Sequence, residues 1–182
     1  GGMALIAAFG LWAGGARPLL LISGDGTLAG LMTDQGRALS KTRGGGFIAQ
    51  NWLQDDGDSA LQPDAFQRAA FSGPSGALTA DVAGHPLRLF VGKGAAERAA
   101  EACQAGVLLV LSERWPGPIK GQPCRIYDRS MLRYTGAVAV YADGDRLRYV
   151  TARAMAGVRL WNIRPRRPYR YGPPSAAFRR EG

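Results

Sequence analysis

The amino-acid sequence predicts an α/β fold, a sandwich-like domain of short strands with a few helices. Three observations lead there. Short apolar runs alternate with Gly-, Asp- and Pro-bearing turns through most of the chain. The Ala-rich stretch GKGAAERAAEACQAG (92–106) has a helix-forming composition framed by glycines. The run VLLVLS (107–112) is continuously apolar, as in a strand buried on both faces, and such strands need helices or a second sheet to cover them.

Each further element follows from a local signal. LLLIS (19–23), TLAGLM (27–32) and RALS (37–40) are separated by Gly-Asp-Gly and by a Gly-ended turn, which predicts a β-meander. Asp25 and Asp34 fall in those turns, where aspartate bonds nearby backbone amides. KTRGGG breaks the chain. FIAQNWLQ (47–54) then places Phe47, Ile48, Trp52 and Leu53 at helical spacing, and the helix ends near Asp56-Gly57. Phe47 and Trp52 are expected to pin that helix to the core, and the aspartates behind it to sit in solvent. A polar connection follows to Gly76. ALTADV and PLRLFV then predict a hairpin with His85 at its turn, CRIYD a short strand and RSMLRY a helical turn. TGAVAVYADGDRLRYVTAR predicts a hairpin closed by Asp143-Gly144.

A chain of 182 residues accommodates one domain with tails and buries a real core. Its net charge of +9 is uneven: residues 1–100 balance to zero, and residues 101–182 carry all of the excess. The last 32 residues hold eight Arg against one Glu. A basic tail on a neutral body suits phosphates, of nucleic acid or of an anionic lipid surface. Near the start, Met3–Ala13 is apolar but about half the length of a membrane span. No basic stretch precedes it as in a signal peptide. It is expected to be the end of a transmembrane helix, with a linker to residue 17. The domain proper is expected over 18–156 and a tail over 157–182.

The residues that could carry chemistry are few. Asp55, Asp56 and Asp58 cluster behind the Trp52 helix, with Asp64 nearby, but the only histidine is His85 and no second acidic segment accompanies them. A hydrolytic metal centre draws ligands from separate segments. The expectation is therefore a solvated loop, with a metal-dependent nuclease using these aspartates and His85 as the rival. Gly92-Lys93-Gly94, between a strand and a helix, could cradle an anion, although it has neither the Walker nor the Rossmann spacing. Cys103 and Cys124 are too few for a disulfide scaffold or a zinc site; a mutual disulfide and two buried thiols both stand open. The tail interleaves Arg159, Arg164, Arg166, Arg167 and Arg170 with Trp161, Tyr169 and Tyr171. Cations there would neutralise phosphates and rings stack on bases, as in sequence-tolerant single-strand binding.

The order of PLLLISGDGTLAGLMTDQGRALS, GFIAQNWLQDDGD, GKGAAERAAEAC, the apolar strand, PCRIYDRSMLRYTGAVAV and VRLWN resembles the extracytoplasmic C-terminal part of ComEC-type competence proteins. These are DNA-internalisation channels, and the alphaproteobacterial form is most similar. The resemblance spans roughly Pro18 to Asn162. It implies a metallo-β-lactamase-like domain on the periplasmic side of the bacterial inner membrane, behind a polytopic channel. Its implied partners are single-stranded DNA, other competence proteins and a second copy in a homodimer. Many relatives are proposed nucleases. Here Lys93 follows Gly92 where the family has a metal-ligating Asp, and Ser112, Glu113 and Arg114 stand where it has a His-rich turn. No catalytic residue, metal or cofactor is therefore carried over. The resemblance implies assistance to single-strand passage, with Lys93 and the tail residues touching DNA, or a structural module of the channel. The periplasmic setting further implies a possible Cys103–Cys124 disulfide.

Overall fold

The first apolar runs form the expected antiparallel meander, β1 (Leu20–Ile22), β2 (Ala29–Thr33) and β3 (Gly36–Leu39), in the computed structural model, which describes residues 17–157. The predicted hairpin near the end of the domain is β8 (Val138–Asp143) and β9 (Arg146–Thr151). β8 docks beside β1, giving a five-stranded sheet in the order β3-β2-β1-β8-β9 in which every neighbour is antiparallel. The last hairpin turns at Gly144-Asp145, one residue later than predicted, with Gly144 at φ 62°.

A second sheet of four strands runs β4 (Ala77–Val82), β5 (His85–Phe90), β6 (Leu108–Leu111) and β7 (Arg125–Tyr127). β4 and β5 are the expected hairpin, whereas β5-β6 and β6-β7 are parallel. Parallel neighbours need a crossover. Between β5 and β6 it is α3 (Ala95–Ala99) with a 3-10 turn over Ala100–Ala102. Every residue of β6 is buried. Leu108 and Val110 face the first sheet, and Leu109 and Leu111 face the outer layer with Ala95, Ala99 and Trp115.

The result is layered. Leu20, Ile22, Leu31, Val138 and Val140 of one sheet pack against Leu87, Leu89, Leu108 and Val110 of the other. Outside the five-stranded sheet lie α1 (Gly46–Asp55) and α2 (Gln62–Phe66), burying Ala49, Trp52, Leu53 and Ala65 against Leu28 and Leu39. Two short helices follow β7 and β9, α4 (Arg129–Thr135) and α5 (Ala152–Ala156). Asp128 starts α4, accepting the Met131 amide at 2.7 Å, and its second oxygen takes the amide of buried Trp115 at 2.9 Å. The fold class is thus α/β, two sheets with five short helices among the described residues. None of those helices is long and apolar enough to cross a membrane. The run Met3–Ala13, expected to end a membrane helix, lies outside the described residues.

Two expectations about helices need correction. Phe47 does not anchor α1, because it is 81% exposed. The buried stripe is Ala49, Trp52 and Leu53, and Phe47 precedes Ala49 by two positions, about 200° around the helix axis. The Ala-rich segment is also shorter than predicted, and Cys103 lies beyond the helix rather than within it. The chain leaves helical geometry at Cys103 (φ −79°, ψ 86°), where its sulfur joins Cys124. α2 was not expected. Its signals are nonetheless local: Pro63 in the first turn, and an Asp64 carboxylate that reaches back to the Leu61 amide at 3.4 Å.

Candidate functional site

The acidic cluster is the first candidate, and the structure resolves it into ion pairs. Arg37 on β3 is fully buried, yet it ends in a two-pronged contact with Asp56: Nε to one carboxylate oxygen at 2.5 Å and Nη2 to the other at 3.1 Å. Nη1 donates to the Gly30 carbonyl at 3.0 Å and Nη2 also to the Pro18 carbonyl at 3.3 Å. Gly30 makes room for this, since a Cβ there would come within 2.8 Å of the Arg37 stem. Asp58 pairs with Arg68, which also donates to the Arg37 carbonyl at 2.9 Å. Contrary to the expectation of a solvated loop, Asp56 is nearly buried and Asp58 partly so, each paired with an arginine. Asp56 is also the residue at the C-terminal end of α1, where a cation offsets the unfavourable field on a carboxylate. Asp55 remains exposed. His85 opens β5, its Nε2 lying 3.4 Å from the Asp145 carbonyl. Among the described residues no three His, Cys, Asp or Glu side chains come together as a metal-binding group.

The Lys93 loop is the second candidate. Gly92, Lys93, Ser112, Glu113, Arg129, Asp25 and Thr27 line a cavity of about 380 Å³ at the C-terminal ends of β5 and β6. The amides that could cradle an anion are already engaged. Glu113 accepts from Gly94 at 3.2 Å and from Ala96 at 3.1 Å, and Ser112 Oγ accepts from the Gly92 amide at 2.9 Å. The Ala96 amide above all, with those of Gly94 and Ala95, holds the Glu113 carboxyl below the usual glutamate range against a smaller opposing effect of burial. Asp25 performs its predicted turn duty, accepting from Ser23 Oγ at 2.5 Å and from Thr27 at 3.0 and 2.9 Å. Burial raises its pKa, and these bonds together outweigh that and lower it. Gly26 of the same turn sits so close to the Leu111 carbonyl that a Cβ would approach it to 2.5 Å, which fixes the turn at the end of β6. Lys93 itself is exposed.

Cys103 and Cys124 form a disulfide with Cα atoms 5.0 Å apart, joining the end of the 3-10 turn to the start of β7. The tail residues Arg159, Trp161, Arg164, Arg166, Arg167, Tyr169, Arg170 and Tyr171 lie outside the described residues.

The structure also assembles groups that the sequence reading passed over. Arg125 on β7 places its guanidinium 4.2 Å from the centre of the Tyr149 ring on β9, and Tyr149 lies 6.0 Å from Tyr127. Arg148 stacks over Tyr141 at 4.6 Å and Arg153 over Tyr134 at 4.3 Å. The two ion pairs among the described residues both lie in the first half of the chain. In the second half arginine meets tyrosine instead. Arg125 and Tyr149 are 24 positions apart on different strands, so only the sheet topology brings them together.

Comparison of the chain with protein-family models, with curated proteins and with solved structures finds no match.

Proposed function

We propose that this domain is the extracytoplasmic C-terminal part of a ComEC-type DNA-internalisation channel, a metallo-β-lactamase-like scaffold that handles single-stranded DNA without hydrolysing it. The observation that carries this reading is the pair of strand ends at Gly92-Lys93 and Ser112-Glu113. Both loops line one cavity at the C-terminal ends of β5 and β6, and the resemblance would equate them with the metal-bearing loops of the nuclease relatives. In this chain the Glu113 carboxylate is taken up by the amides at the start of α3, Asp25 is held within its own turn, and the cations Lys93 and Arg129 line the same cavity. The Cys103–Cys124 disulfide supports a setting outside the reducing cytosol. The concentration of positive charge in residues 101–182 supports a polyanionic partner.

The test is binding and cleavage with the 182-residue chain. It should bind single-stranded oligonucleotides with an affinity that falls steeply with salt, and neutralising Arg164, Arg166, Arg167 and Arg170 should weaken that binding. No cleavage is expected with magnesium, manganese or zinc. Cleavage abolished by EDTA and by Asp58→Ala would replace this reading with a metal-dependent nuclease. Failure to bind DNA at low salt would leave a structural module of the channel.

A further inference from the structure

A groove of about 520 Å³ opens at the N-terminal ends of β5 and β6, away from the Lys93 loop, where edge strand β7 of one sheet approaches edge strand β9 of the other. Its walls are apolar and aromatic, including Val107, Ile119, Met131, Leu147, Tyr127 and Tyr149. Its charged residues are Arg125 and Arg146, with His85 beside them, and no Asp or Glu lines it. Arg125 is exposed, and its guanidinium carbon lies 4.2 Å from the centre of the Tyr149 ring. An edge of this kind, apolar within and lined by cations rather than carboxylates, fits a ligand that is itself anionic along a backbone and planar in its side groups.

We propose that this groove is a binding site for a short segment of single-stranded nucleic acid. Bases lie against exposed Arg125 and the half-buried Tyr149 ring beside it, with buried Tyr127 backing that ring, and Arg125 and Arg146 neutralise flanking phosphates. Base stacking on aromatic and guanidinium planes is tolerant of sequence, and the cations give the affinity its salt dependence. This rests on the DNA-handling reading above and adds to it a place on the folded domain, independent of the tail and of the Lys93 loop.

The experiment is fluorescence anisotropy with a labelled oligothymidylate and the full chain, at several salt concentrations. Arg125→Ala with Arg146→Ala should weaken binding about tenfold and flatten the salt dependence. Arg125→Lys should recover part of the loss through charge alone, and Tyr149→Phe should bind like the parent. Photocrosslinking of a bromouracil oligonucleotide to the unmodified chain should label the peptide containing Tyr149, which needs no variant to fold. If the parent chain binds but the paired Arg variant binds equally well and crosslinks map only to the tail, the groove is overturned and DNA handling stands. If the parent chain does not bind the oligonucleotide at low salt, DNA handling itself fails. Binding to phosphatidylglycerol vesicles that requires Arg125 and Arg146, without oligonucleotide binding, would reassign the groove to a lipid surface.

Discussion

Arg37 and Asp56 form a bidentate pair in which the guanidinium is wholly removed from solvent and the carboxylate is 8% exposed. The pair ties the third strand of the meander to the C-terminal end of α1. With the Arg68–Asp58 pair it fixes the meander beneath both helices that cover it. Carboxylates that looked available for chemistry are thereby committed to holding two layers together.

Removing one partner of a buried pair leaves the other charge without solvent or counter-ion. Asp56→Ala should therefore destabilise the domain by about 3–5 kcal/mol in urea unfolding. Joint replacement by Arg37→Met and Asp56→Leu should cost much less than the single changes predict, a coupling that a double-mutant cycle reads directly. An Asp56→Ala variant as stable as the parent would mean that the pair is not formed in solution.

The parts of the fold that depend on neighbouring residues were legible in the sequence. Gly-centred turns between apolar runs located both hairpins and the meander, and the unbroken apolar run of β6 announced burial on both faces. The candidate site was far less legible. Nothing local distinguishes Arg37 from the surface arginines, because its burial depends on Gly30 one strand away and on Asp56 nineteen residues on. The Arg125–Tyr149 stack likewise exists only once two sheets face each other. The misjudged role of Phe47 has a different cause: an aromatic residue counts toward a helical stripe only if its phase agrees with the buried positions.

Acid should unfold the domain through specific carboxylates. The hydrogen bond from Arg68 is the main reason the Asp58 carboxyl lies below the usual aspartate range, with burial acting weakly against it. Its folded pKa is thus depressed below the unfolded value of about 3.9. Its stabilising effect is present above that value and is lost as pH falls through the lower, folded one. Asp25 and Glu113 are shifted in the same direction. Stability should decline as pH falls below about 4, through the depressed folded values, and Asp58→Asn should make that decline shallower. An unchanged slope in the variant would count against the Arg68 bond.

At the other end of the pH scale, Tyr127 and Tyr149 report on the groove. Burial pushes both phenols above their ordinary value, and Arg125 pulls both back down. Because the folded pKa values are raised, the associated stability is complete below about pH 10 and is lost as pH rises through the folded values. In an ultraviolet phenolate titration these two should ionise above the ordinary tyrosine value of about 10. Arg125→Ala should delay them further. Unaltered titration in that variant would mean that the guanidinium does not rest where the structure places it.

The disulfide closes a loop of 21 positions that contains β6 and the Pro-rich segment leading to β7. Cys124 is itself buried among Ala99, Val107 and Ile119, so the bond anchors one wall of the groove as well as the start of the strand. Constraining an unfolded loop of this length stabilises a fold by about 3 kcal/mol. Protein purified from an oxidising compartment should show no reactive thiol when unfolded without reductant, and two after reduction. Reduction, or Cys103→Ser with Cys124→Ser, should lower the thermal midpoint while leaving the five-stranded sheet folded, because that sheet has its own links through Arg37 and Arg68. It should also weaken oligonucleotide binding, because Ile119, Pro123 and Cys124 belong to the groove wall that the bond holds in place. Two free thiols in the oxidised, unfolded protein would remove both expectations together.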